Sequence, residues 1–143
     1  MGKRETKNKK KGSAGNNRKI GEEFLEKNRY KDGVHETESG LQYTIIENTK
    51  GEQPAEENNV IIHQRALLLN GTILIDTYRE NKPDEVQVEE LIEGLQEGLG
   101  MMSKGSRYKF WVPCDLAWGK KGTGNKIPPY SVLQFDIRLI DFW

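Results

Sequence analysis

Leu91, Ile92, Leu95, Leu99 and Met102 recur at three- and four-residue spacing, and no other stretch constrains the fold as tightly. The stripe predicts one amphipathic helix over 89–102, whose apolar face needs a surface to lie against. The segments on either side supply that surface as strands. Leu41 to Ile46 is β-branched and partly alternating. Val60 to Leu69 reads as a second strand, and Asn70-Gly71 as a hairpin turn into Thr72-Ile73-Leu74-Ile75. A break at Glu80-Asn81-Lys82-Pro83 precedes a short strand at Val86-Gln87-Val88. Arg107 to Val112 alternates basic with aromatic or apolar side chains, as a half-buried strand does. A Gly-rich loop follows from Gly119 to Pro129, and Val132 to Ile140 closes the sheet. Strands, one helix, then more strands predict an antiparallel α+β domain.

The amino-terminal part follows different rules. Residues 1–19 hold eight Lys or Arg against Glu5 alone and offer no apolar residue with a partner at regular spacing. Such a segment cannot offset its ordering entropy by burial, so it is expected to be disordered. Ile20, Phe24 and Leu25 then share a helical face, with Glu22 and Glu23 in the first turn and Asp32-Gly33 as a stop. The expected organisation is a disordered basic tail over 1–19, a short helix and linker over 20–38, and a folded domain over 39–143. The formal net charge is zero, so the chain beyond the tail is acidic. The tail has two expected uses, as a solubilising arm or as a contact to RNA or another anionic surface. It has no aromatic residue on which a base could stack, so any such contact is made to phosphates and weakens with salt.

Several classes are disfavoured at once. Cys114 is the only cysteine, which excludes an intramolecular disulfide and a cysteine-cluster metal site. His35 and His63 are too far apart in sequence to suggest a metal site by themselves, and no nucleophilic triad or cofactor motif stands out. No apolar run reaches membrane-spanning length and the start lacks a hydrophobic leader, so a soluble cytoplasmic protein is expected.

Four local signals line up in order. They are Ser39-Gly40-Leu41-Gln42-Tyr43, Leu91-Ile92-Glu93-Gly94-Leu95-Gln96-Glu97-Gly98-Leu99, Val112-Pro113 through Ala117-Trp118-Gly119, and Gly122-Thr123-Gly124-Asn125-Lys126-Ile127-Pro128-Pro129 leading to Leu133-Gln134-Phe135-Asp136. Together they resemble the FKBP-type peptidyl-prolyl isomerases, in particular the bacterial macrophage-infectivity-potentiator group, over roughly 39–141. The resemblance implies a twisted antiparallel half-barrel wrapped around one central helix. It implies rotation about X–Pro bonds of polypeptide substrates, a reaction that needs no cofactor, metal or nucleophile. The barrier of about 18–20 kcal/mol comes from amide resonance. A dry apolar pocket favours the less polar, twisted amide.

The resemblance also assigns residues. Ile92 takes the place whose backbone N–H holds a ligand carbonyl, and Leu91 precedes it. Trp118 stands for the tyrosine of the family's A-Y-G segment and keeps an aromatic wall. Ile127 and Phe135 match pocket positions. Other positions depart. Gln64, after His63, replaces an aromatic residue, Leu74-Ile75 replaces an F-D pair, and Leu95 replaces the tryptophan of the pocket floor. Asp76 lies one place after the missing acid and is expected to point to the opposite face. A weak isomerase with poor affinity for macrolide inhibitors is expected. The alternative is an FKBP-like peptide-binding or chaperone module that has lost catalysis. The helical pattern starts only at Ile20, which leaves no long dimerisation arm of the kind potentiator-type relatives carry, and a monomer is expected.

Overall fold

Alternation along the strands decides which face of the sheet is buried. The computed structural model describes residues 2–124 and 126–143, with side chains from residue 14 onward within them. In chain order the elements are helix α1 (Gly2–Asn28), strands β1 (His35–Glu36), β2 (Gln42–Glu47), β3 (Asn59–Leu68) and β4 (Ile73–Asp76), helix α2 (Thr77–Glu80), strand β5 (Asp84–Gln87), helix α3 (Glu93–Leu99), and strands β6 (Arg107–Val112) and β7 (Leu133–Phe142). On β3, Val60, Ile62, Gln64, Ala66 and Leu68 are buried and their neighbours are not. On β7, Leu133, Phe135, Ile137 and Leu139 do the same. Every strand pairing is antiparallel, in the order β1-β2-β6-β7-β3-β4, with β5 on the far part of β3. This is the α+β fold expected, a twisted sheet with α3 against its apolar face.

Two glycines let α3 sit close to the sheet. A Cβ on Gly98 would stand 2.7 Å from the Phe110 ring, and one on Gly94 would collide with Val112. Their four-residue spacing puts both on the face toward β6. Leu95 and Leu99, at 2% and 0% exposure, fill the core beside Phe110, Val112 and Leu133.

The helix is shorter than its apolar stripe. Val88–Glu90 form a 3-10 turn, and Leu91 (ψ 165) and Ile92 (ψ 154) are extended before α3 begins at Glu93. The Gln96 side chain donates back to the Leu91 carbonyl at 2.8 Å, which holds this extended step. Leu91 and Ile92 are apolar because they face the interior, and helical spacing alone could not separate that reason from a longer helix.

The amino-terminal expectation needs correcting. Instead of a disordered tail over 1–19 and a short helix from Ile20, one helix runs from Gly2 to Asn28; Met1 lies outside the described residues. Its carboxy-terminal half is docked. Asn17 Nδ2 donates to the Pro129 carbonyl at 2.6 Å and to Ser131 Oγ at 3.2 Å, and the Arg18 guanidinium lies 5.3 Å from the Tyr130 ring centre. Gly21 abuts Val132, where a Cβ would stand 2.9 Å from a methyl group. Further along, Gln42 is fully buried and takes a hydrogen bond from Asn28 at 2.8 Å while giving one to the Leu25 carbonyl at 2.9 Å. Arg18–Glu22 and Lys19–Glu23 add ion pairs one turn apart. A docked helical segment removes the nucleation cost for the turns before it, and Lys, Arg and Glu are good helix formers. Burial alone was therefore the wrong test for this segment.

Candidate functional site

Above the amino-terminal end of α3 the sheet's apolar face is left uncovered, and a cavity of about 310 Å³ opens there. Its walls come from six parts of the chain. β3 contributes Gln64 and Ala66, and β4 contributes Leu74 and Ile75. The extended step before α3 contributes Leu91 and Ile92, and α3 itself contributes Leu95 as the floor. Trp118 and Ile127 come from the loop between β6 and β7, and Phe135 from β7. All nine residues singled out from the sequence thus surround one space. Sequence reasoning missed Ala66 and Leu133, although each lies two residues from a predicted member of its strand and the strand period points to it. Glu90, Thr123 and Lys126 complete the rim.

The loop is held in shape by its own backbone. Gly119 N–H donates to the Cys114 carbonyl at 2.7 Å, Tyr130 N–H to the Gly119 carbonyl at 2.9 Å, and Thr123 N–H to the Ile127 carbonyl at 2.9 Å. Gly122, at φ 66, lies so close to the Ile127 and Pro128 backbone that a side chain there would collide with it. Trp118 is left 40% exposed, its ring forming one side of the opening. Ile127 and Phe135, at 7% and 4%, lie deeper.

Polar groups at the cavity are few. Ile92 precedes α3 in extended conformation, and its N–H makes no hydrogen bond to another described residue. Gln64 is 6% exposed and donates from Nε2 to Asp84 Oδ2 at 2.9 Å. Its backbone N–H donates to Thr77 Oγ1 at 2.7 Å.

Ala66 faces Ile75 and Leu67 faces Ile73, so Leu74 is an extra residue on β4. This irregularity brings both Leu74 and Ile75 to the cavity and leaves Asp76 outside it. Asp76 instead caps α2 by accepting from the Arg79 N–H at 3.2 Å, and pairs with Arg65 at 3.5 Å. On that outer face Arg107 holds Asp136 through two bonds of 2.9 and 2.8 Å, and the Tyr78 hydroxyl donates to the same carboxylate at 3.0 Å. Burial, and then Asp136, push the Tyr78 hydroxyl well above the ordinary tyrosine range. His63 shares a 2.9 Å hydrogen bond with Thr77 Oγ1 and stacks on Tyr78 at 4.9 Å, so it is a satisfied strand residue outside the cavity. Cys114 lines a separate cavity of about 300 Å³ beneath α1, and burial raises its thiol pKa.

Among the described residues there is no cluster of three or more His, Cys, Asp or Glu that could hold a metal ion, and no helix is long and apolar enough to cross a membrane. The arrangement is an apolar pocket with Trp118 and Phe135 as aromatic walls, the Ile92 N–H at its edge, the Gln64 carboxamide on one side and a polar rim.

Comparison with known proteins agrees with that geometry. Residues 50–140 match the family described as FKBP-type peptidyl-prolyl cis-trans isomerase, and residues 1–45 match the domain described as amino terminal to it. The chain is 37% identical over 121 residues to the FKBP-type 22 kDa peptidyl-prolyl cis-trans isomerase of Escherichia coli strain K12, covering 85% of this chain and 59% of that one. It is 37% identical over 124 residues to the outer membrane protein MIP of Legionella longbeachae, covering 87% and 53%. The crystal structure of FkpA from Escherichia coli superposes with a TM-score of 0.88 at 33% identity, over 98% of this chain and 65% of that one. The chain therefore spans little more than half the length of these curated relatives.

Proposed function

The chain belongs to the FKBP-type peptidyl-prolyl cis-trans isomerase family, and from that premise we propose that its cavity isomerises X–Pro bonds in polypeptide substrates. The observation that carries the reading is the cavity itself: apolar walls, Trp118 at the mouth and the Ile92 N–H at its edge. A proline ring buried against Leu95 and Phe135 leaves water behind, and the amide entering with it loses the solvent that favours its planar, polar form. The Ile92 N–H holds a flanking carbonyl without attacking it, and Trp118 closes the outer side. No covalent step is involved, and the residues bind, desolvate and orient.

A protease-coupled assay on X–Pro peptides tests the proposal. Acceleration above the uncatalysed rate is expected, and a rate equal to it sinks the isomerase reading. Trp118→Ala should lower kcat/KM by roughly two- to tenfold, since an aromatic contact contributes about 0.5–1.5 kcal/mol beyond its area.

A second reading, a peptide-binding or chaperone module without catalysis, is favoured by one observation: Gln64, Leu74, Ile75 and Leu95 all stand where the family pattern has other residues. Activity that is already substantial, and unchanged in Gln64→Tyr with Ile75→Asp, rejects it. Macrolide affinity is expected to be poor for the same reason.

The basic segment 1–19 carries a separate proposal, contact with RNA or another polyanion through phosphates. Its eight Lys or Arg support it. Deleting 1–19 should abolish any salt-sensitive RNA binding, and binding that survives rejects the idea. The monomer expected earlier took the helix to begin at Ile20. With α1 running from Gly2 that ground is gone, and sedimentation of the full chain decides the state.

A further inference from the structure

At one edge of the cavity the Gln64 carboxamide is held from outside the lining by Asp84, a residue that lies outside every motif of the resemblance. β5 pairs with β3 so that Asp84 stands opposite Ile62, two residues along the strand from Gln64. From there Asp84 Oδ2 accepts the 2.9 Å hydrogen bond from Gln64 Nε2. A carboxylate only accepts, so the carboxamide has one orientation, with its NH2 toward Asp84 and its oxygen turned away. That oxygen takes no hydrogen bond from a described group. Yet no described side-chain N or O is both sealed from solvent and unpartnered. Gln64 is otherwise buried, so Oε1 opens on the space that Gln64 lines, beside Leu74, Ile75 and Phe135. The strand cannot drift to relieve this, because the Gln64 N–H is anchored on Thr77 Oγ1.

An acceptor at the edge of an apolar cavity is costly when a ligand covers it without offering a donor. Proline itself has no N–H. The backbone N–H after the proline is available in nearly every substrate and cannot discriminate between them. The donor that distinguishes one substrate from another must sit on a neighbouring side chain. We propose that Asp84 is a positioning residue that fixes Gln64 as a hydrogen-bond acceptor, and that the site thereby favours X–Pro segments in which X carries a hydroxyl or amide donor. The inference rests on the isomerase reading of the same cavity.

Matched peptides test it: Ser–Pro against Ala–Pro, Thr–Pro against Val–Pro, and Gln–Pro against Leu–Pro. The full chain should prefer the donor-bearing member of each pair by roughly three- to tenfold in kcat/KM, carried mainly by KM. In Asp84→Ala the ratio should fall to about one. A ratio near one in the unaltered protein overturns the inference while leaving the isomerase reading intact. A ratio retained in Asp84→Ala overturns the positioning role, and absence of catalysis on every peptide rejects both readings. A second measurement needs no variant. Ser–Pro peptide should shift the Gln64 side-chain amide resonances more than Ala–Pro peptide does, and equal shifts overturn the inference.

Discussion

Leu95 ends the cavity with a branched aliphatic side chain, and the cavity above it, about 310 Å³, has room for more. Leu95→Trp should therefore raise affinity for a macrolide inhibitor by roughly three- to tenfold, since an added aromatic contact is worth about 0.5–1.5 kcal/mol beyond area. Competition binding measures it. Tyr78 makes a different residue-scale prediction. Its hydroxyl, raised from 10.0 by burial and by Asp136, stays protonated in the folded chain where the unfolded chain would ionise. The stability it contributes is complete below pH 10.0 and declines as pH rises toward the folded value. Alkaline titration of the intact protein should show a late-ionising tyrosine that Tyr78→Phe removes. At this scale the site was largely legible through the resemblance, whose motifs carry Ile92, Leu95, Trp118, Ile127 and Phe135 to one cavity. Asp84 was not. It follows Lys82-Pro83, which reads as a break, and only the register of β5 on β3 brings it beside Gln64.

Among the elements, α3 makes the sharpest prediction. Gly→Ala in a helix interior ordinarily gains about 0.5–1 kcal/mol. At Gly94 and Gly98 the added methyl group would meet Val112 and Phe110. Overpacking of this kind costs about 1–3 kcal/mol, so both substitutions should destabilise the protein in urea titrations despite the better propensity. Strand periods were easy to read because burial alternates cleanly on β3 and β7. The two longer helices were harder. Leu91 and Ile92 extend the apolar stripe of α3 without belonging to its helix, and α1 continues through residues with no apolar partner. In both cases the apolar pattern recorded what is buried, and buried extent differed from helical extent.

For the whole molecule, the contact between α1 and the sheet depends on a small polar knot. Asn28 and Gln42, 1% and 0% exposed, satisfy each other, and Glu36 takes a further bond from Gln42 at 2.8 Å. Asn28→Leu strands the Gln42 carboxamide oxygen in the interior and should cost about 1–3 kcal/mol, read as a lower urea midpoint. At the other end of the docked segment, Asn17 holds the Pro129 carbonyl, within the loop whose Ile127 walls the cavity. One loop is thus gripped from behind by a helix and shared in front with any ligand. Equilibrium linkage makes such a grip reciprocal. A ligand that steadies the loop must tighten the hold on α1 by the same factor by which a docked α1 tightens the ligand. Peptide occupancy should therefore slow proteolysis of α1, and Asn17→Ala should weaken peptide binding from a position that never touches the peptide.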